Sequence, residues 1–274
     1  MNKKIAIIGC KHTTRDVCLG LLRNKIKVDY IITISPEKAT EQKVSGHMDL
    51  TLFGKEHNIP IYCAETYNLS SPVDKENILR LQLDLIYVVG WQRLIPDWFI
   101  ASLSTGAFGI HGSSKPLPYG RGRSPINWSI LLGKNKFITH LFKIMPGVDD
   151  GPVVFAKEFD ITPFDDCHTI HLKNVLCMIE LGTKYFPKLL RDEMVLTPQP
   201  SEGATYYPKR NENDGVINWN RPTLEIYNFI RALTKPYPGA FTYLNGNTNS
   251  RINIWSAIPF DTKITYETEK PGTI

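Results

Sequence analysis

No apolar run in this chain approaches the roughly 20 residues that a bilayer-spanning helix needs, which sets aside a helical membrane protein. Cysteine is sparse and unpatterned. Cys10, Cys18, Cys63, Cys167 and Cys177 are odd in number and form no C-x-x-C pair, so neither a disulfide framework nor a zinc knuckle is expected, and no metal. A reducing cytoplasm is the expected compartment. Thirty-two Lys and Arg against 27 Asp and Glu leave a charge of +5, but it is spread along the chain. Without a dense basic stripe, that excess suits anionic small molecules better than nucleic acid. The dinucleotide fingerprint is missing too: "IIGCKHTTRD" has one glycine where three are needed, and no Walker-type lysine. Gly9 reads as a tight turn at a strand end. The opening "MNKKIAIIGC" breaks into "KHTTRD" after six apolar residues, which makes it a first strand rather than a targeting signal. There are no internal repeats and no low-complexity tracts.

What is present alternates between strand and helix. "KIAIIG" and "VDYIITI" are short, β-branched apolar runs, and "TTRDVCLGLLRN" between them has helical spacing after a threonine N-cap candidate. A polar helical stretch to about Asn58, then "PIYCA", a helix around "KENILRLQL" and the strand "DLIYVVG" ending at Gly90 continue the pattern. Continuous apolar strands are buried on both faces, so the fold class is α/β: a Rossmann-like, mainly parallel sheet. "FITHLFKI", the turn "MPGVDDGP", "VVFAKEFDI" and a helix from about Cys167 to Leu190 complete this part. Beyond about Thr197 the chain is richer in Pro, Tyr and Gly, with one clear helix, "PTLEIYNFIRAL". The division is therefore set at 1–199 for the main domain and 200–274 for a small α+β subdomain.

In such sheets ligands sit beyond the carboxyl ends of the strands. Two segments stand there, "GWQRLIP" after Gly90 and "HGSSKPLPYGRGRSP" after "GAFGI". His111 opens the second, and Gly112 and Ser113 remove bulk beside it, so its imidazole is expected to face a cleft. Histidine can donate, accept or carry charge near neutrality, which suits proton transfer. His12, His47, His57, His168 and His171 read as structural. Asp149 and Asp150 in "GVDDGP" follow a strand that can neighbour the His111 strand, and a buried carboxylate there would favour the imidazolium. Ser113 has no G-x-S-x-G turn around it, so the substrate must bring its own nucleophile.

"GIHGSSKPLPYGRGRSPINWSILLG" followed by "GVDDGPVV" resembles the formyltransferases that use 10-formyltetrahydrofolate, with their ordered Asn-x-His-x-Ser, Leu-Pro, Arg-Gly and Asp before Gly-Pro. "VVGWQRLIP", "ATYYPKRNENDGVINW" and "IYNFIRALTKPYPGAFTYL" are similar to segments of the branch that formylates amino sugars on nucleotides. The resemblance implies that His111 and Asp149 are catalytic. It puts the family's asparagine on Gly109, where the amide donor to the formyl oxygen is absent. Removing one such donor typically costs about 2.7–4 kcal/mol. His111 alone with a water, or Gln92 or Asn127 swinging in, would compensate; otherwise the chain is a silent binder of folate or nucleotide.

The same resemblance implies folate contacts at Gly90, Trp91, Gln92, Leu94 and Asp150. It implies nucleotide-sugar contacts at Arg121, Arg123, Tyr207, Lys209, Arg210 and Tyr237, with Tyr206 beside them for stacking. The expected partners are a folate and a nucleotide sugar, with no nucleic acid and no membrane, and a homodimer is allowed. Methionyl-tRNA is disfavoured because the relatives that take it carry a larger C-terminal domain. The absent asparagine resembles formyltransferases of pseudaminic-acid-type pathways, which implies a UDP-linked 4-amino-4,6-dideoxy hexosamine; a dTDP-linked amino sugar is the alternative.

Overall fold

The computed structural model describes residues 3–261, and the expected alternation of strand and helix is what the chain forms. In chain order the strands are β1 (Ile5–Ile8), β2 (Tyr30–Ile34), β3 (Ile61–Ala64), β4 (Leu85–Val88), β5 (Gly106–Ser113), β6 (Arg121–Gly122), β7 (Lys136–Lys143), β8 (Val153–Asp160), β9 (Tyr206–Tyr207), β10 (Ala240–Tyr243) and β11 (Arg251–Ile254). The α-helices are α1 (His12–Arg23), α2 (Pro36–Glu41), α3 (Thr51–Glu56), α4 (Pro72–Leu81), α5 (Asp97–Ser102), α6 (Pro125–Leu131), α7 (Cys167–Leu190) and α8 (Thr223–Leu233). Short helices α5 and α6 are the additions; each offers too few turns for a periodic apolar stripe to register in the sequence.

The central sheet runs β3-β2-β1-β4-β5-β7-β8, with β1 to β5 paired in parallel. Alternate residues sort to its two faces. Ile5, Ile7, Leu85 and Tyr87 join one apolar cluster, while Ala6, Ile8 and Ile86 join another. Side chains at i and i+2 share a face, so strands buried on both sides read as unbroken apolar runs. Each fully buried isoleucine contributes about 1.5–3 kcal/mol. The order reverses direction between β1 and β4, and the carboxyl ends at such a switch point are where open α/β sheets bind ligands.

Helix α1 is capped two residues before the expected threonine, Thr13. Lys11 is its N-cap, and Thr14, in the first turn, accepts the Lys11 N–H (3.1 Å) and donates to the Val89 carbonyl (2.7 Å). That bond ties the helix start to the end of β4. Gly9 answers to the same contact: a Cβ there would fall 1.9 Å from the Val89 oxygen.

The described chain forms two compact units. Unit 1 comprises Met1–His111, Thr139–Lys157 and Val175–Glu202, and unit 2 comprises Gly112–Ile138, Glu158–Asn174 and Gly203–Ile274. Residues 112–138 and 158–174, grouped by sequence with the first 199, thus pack in unit 2. Its core gathers Ile126, Phe137, Cys167, Ile230 and Ala240. Residues 262–274 of the expected subdomain lie outside the described residues. No helix among the described residues is long and apolar enough to cross a membrane.

Candidate active site

A cavity of about 200 Å³ opens in unit 1 at the carboxyl end of β4, beside Gly109 and Ile110 in the middle of β5 and Phe142 near the end of β7. Val88, Gly90, Trp91, Leu94, Gly109, Phe142, Ile144 and Asp149 are among the residues that line it. It is smaller than the roughly 300–1,000 Å³ of a site that engulfs a drug-sized ligand. A flat ring system fits that scale, with the rest of its molecule outside. Among the described residues the buried indole N–H of Trp91 has no hydrogen-bond partner, a donor whose desolvation is uncompensated.

Gly109 and His111 lie two residues apart on β5 and therefore share a face of the sheet. His111 Nδ1 stands 3.3 Å from a carboxylate oxygen of Asp149. The imidazole is 5% exposed, which corrects the expectation of a cleft-facing ring. The physical reason is that β5 does not stop at the histidine but runs on to Ser113, keeping position 111 inside the sheet. Asp149 is more open and lines the cavity, so the pair has a buried end and an accessible end.

Several residues hold this pair in place. Asp149 has φ 51°, the left-handed region, which costs a non-glycine residue about 1–3 kcal/mol and which Asp tolerates better than most. The Gln199 amide restrains it by donating to the Asp149 and Gly151 carbonyls, each at 2.8 Å. A Cβ on Gly151 would sit 1.7 Å from the Lys143 carbonyl oxygen, so only glycine lets this turn meet the end of β7. On the adjacent strand β7, His140 donates from Nδ1 to the His111 carbonyl at 3.2 Å. Burial pushes the His140 imidazole down to about 4, so it sits there neutral at physiological pH. Sequence reading missed Gln199 and His140. Both act through backbone oxygens, and no spacing rule signals that.

The remaining expected residues fall as follows. Asp150 is not among the cavity-lining residues; its carboxylate folds back over the Gly147 Cα, where a Cβ would meet it at 1.9 Å. Gln92 is exposed and also off the cavity wall. Ser113 donates its hydroxyl to the Tyr119 carbonyl (2.6 Å), a structural use. A Cβ on Gly109 would lie 3.1 and 3.2 Å from Ile144 Cδ1 and Cγ1 and 3.5 Å from Phe142, so Ile144 crowds the space above that glycine. Asn127, one candidate substitute donor, already gives its amide to the Ala232 carbonyl at 2.6 Å.

In unit 2 the basic and aromatic residues form two groups. β6 pairs with β9, setting Arg121 beside Tyr206 and Gly122 beside Tyr207. Arg121 is buried with its guanidinium 3.2 Å from the Tyr206 hydroxyl, while the Tyr206 ring is 58% exposed. Tyr207 stacks on Trp128 at 5.6 Å, and the Arg210 guanidinium stands over Trp128 (5.2 Å) and Phe229 (5.9 Å). Lys209 and Arg123 point into solvent-exposed positions. Tyr237 is apart from these, half-buried and 3.0 Å from His171 through its hydroxyl.

Comparison with known proteins gives this arrangement its relatives. A sugar N-formyltransferase from a Shewanella strain superposes with TM-score 0.68 at 13% identity, over 95% of this chain and 99% of its own. A 4-N formyltransferase from Francisella tularensis gives 0.68 at 17% identity, over 94% and 99%. An N-formyltransferase from Helicobacter canadensis, solved with folinic acid and dTDP-3-aminofucose, gives 0.65 at 18% identity, over 89% and 85%. These likenesses establish the fold. Residues 3–175 match the family described as formyl transferase and residues 209–274 the formyl transferase C-terminal domain, so the chain belongs to the formyl transferase family of enzymes.

Proposed function

We propose that this enzyme moves a formyl group from 10-formyltetrahydrofolate to the amino group of a nucleotide-linked amino-deoxy sugar. The observation that carries the reading is the His111–Asp149 pair, 3.3 Å apart, with Asp149 on the wall of a cavity at the end of β4. The cavity suits a pterin-like ring: Trp91, Leu94, Phe142 and Ile144 give it apolar surface for the ring faces, and Asp149 a polar edge. Gly90, Trp91 and Leu94 would hold the folate. When bound, it supplies the formyl carbon and the nitrogen that leaves it.

The chain's own residues supply proton handling and charge. Asp149 orients His111 through Nδ1, so that the protonated ring can face negative charge developing on the formyl oxygen and return a proton to the leaving nitrogen. Asp149, at the accessible end, takes the amine's proton directly or through a water. With Ile144 crowding Gly109, no side chain from that position competes with His111 for the oxygen. We assign the nucleotide to unit 2, with Tyr206 as the exposed ring for the base and Lys209, Arg123 and Arg121 for phosphate. Tyr207 and Arg210 support that surface from within their stack on Trp128. Catalysis is assigned to 1–199 and acceptor contacts partly to 200–274, in the cytoplasm.

A UDP-linked 4-amino-4,6-dideoxy hexosamine is the preferred acceptor, on the strength of Gly109. A dTDP-linked amino sugar is the second reading, favoured by the Helicobacter canadensis relative solved with dTDP-3-aminofucose. The test is to incubate native protein and His111→Asn with 10-formyltetrahydrofolate and a panel of UDP- and dTDP-amino sugars, weighing products by mass spectrometry. A gain of one formyl mass with the native protein, lost in the variant, is expected. No transfer to any amino sugar would refute the reading.

A further inference from the structure

Gly90, Trp91 and Arg93 line the cavity from a segment with no regular secondary structure of its own. Its shape must come from elsewhere. Tyr67, in the turn after β3, is 3% exposed and touches it three times. The phenol oxygen accepts the Gln92 N–H at 2.9 Å. The ring packs edge-on against Trp91 with centroids 4.5 Å apart, and the Arg93 guanidinium stands 4.9 Å from its centroid. On the other flank of Trp91, the fully buried Cys10 thiol lies 3.7 Å from the Gly90 carbonyl and also hydrogen-bonds the Tyr67 hydroxyl. Backbone groups on both sides of Trp91 are thus held by one buried Tyr–Cys pair.

Tyr67 is itself fixed from two directions. Its N–H donates to the Gln42 side chain at 2.8 Å. The turn before it is locked by Asp74, a fully buried carboxylate on α4 that accepts from the Tyr62 hydroxyl, the Glu65 N–H, and both the N–H and hydroxyl of Thr66. Such saturation leaves the turn little freedom, because breaking any one of those bonds leaves the buried Asp74 carboxylate with a lost donor. A rigid turn then transmits its position to Trp91 through the phenol.

We infer that Tyr67 is a positioning residue for the folate site: its hydroxyl sets the Trp91–Gln92 backbone, and so fixes the cavity wall that faces the donor's ring. The inference rests on the folate reading given above. It needs no contact between Tyr67 and any ligand.

The experiment is calorimetric titration of the native protein, Tyr67→Phe, Trp91→Phe and the double variant with 5-formyltetrahydrofolate, a stable analogue of the donor. Tyr67→Phe keeps the ring contacts and strands the Gln92 N–H, so it should weaken binding about five- to thirtyfold with native circular dichroism. The effects of Tyr67→Phe and Trp91→Phe should be less than additive, because both act on one wall; a merely structural tyrosine would lower the melting temperature without coupling to Trp91. Unchanged affinity in Tyr67→Phe, additive effects, or loss of the fold in that variant would each overturn the inference. Failure of the native protein to bind the analogue would overturn the folate reading as well, whereas native binding with an indifferent Tyr67→Phe overturns this inference alone.

Discussion

Substituting asparagine for Gly109 tests how the enzyme manages its oxyanion, and the structure says the single change is not enough. An added Cβ would lie 3.1 and 3.2 Å from Ile144 Cδ1 and Cγ1, short of the ~3.5–4.0 Å at which carbon atoms sit comfortably. Overpacking of that kind costs about 1–3 kcal/mol and displaces the newcomer. An oxyanion donor is worth about 2.7–4 kcal/mol when well placed, but a misplacement near 1 Å forfeits about a hundredfold in rate. The two effects nearly cancel. Gly109→Asn alone should therefore melt at lower temperature and turn over within a few-fold of native. Adding Ile144→Ala removes both crowding atoms; Ile144 is only half-buried, so the truncation costs less than the ~2–5 kcal/mol of a fully buried site. The double variant should then form product at least tenfold faster than the native protein, measured by single-turnover mass spectrometry with saturating folate. A single variant that gains as much as the double would show that Ile144 is no barrier. A double variant with no gain would show that no donor is missed.

Three further outcomes follow from the supports of the pair. Gln199→Ala removes two hydrogen bonds to the 149–151 turn, each worth about 1 kcal/mol, so kcat should fall about tenfold while both KM values stay near native; an unchanged kcat in steady-state assays would contradict the restraint assigned to it. Gly151→Ala cannot be accommodated 1.7 Å from a backbone oxygen, and soluble protein with native turnover would rule out the packing described. The third concerns pH. Because burial depresses the folded His140 to about 4, the unfolded chain binds a proton that the folded chain refuses between about pH 6.5 and 4. Its contribution is intact above pH 6.5 and is lost as pH falls toward 4, about 3 kcal/mol in all. Denaturant melts across that window should be flatter for His140→Gln than for the native protein, and parallel curves would exclude the assignment.

Sequence alone determined the α/β class, because strands such as Ile5–Ile8 and Leu85–Val88 are apolar at every position and only burial on both faces explains that. It also drew attention to His111 and Asp149, since their residue types and flanking glycines are local facts. What it left open was decided by contacts between distant segments. The burial of His111 depends on β5 continuing through Gly112, and the crowding of Gly109 depends on Ile144, 35 positions later in the chain. Gln199 reaches Asp149 across 50 residues, and Tyr67 reaches Gln92 across 25, both through backbone groups that every residue possesses. Chemistry is written in side chains and can be read in order. Placement is a matter of which backbone atoms meet, and only the folded chain brings those together.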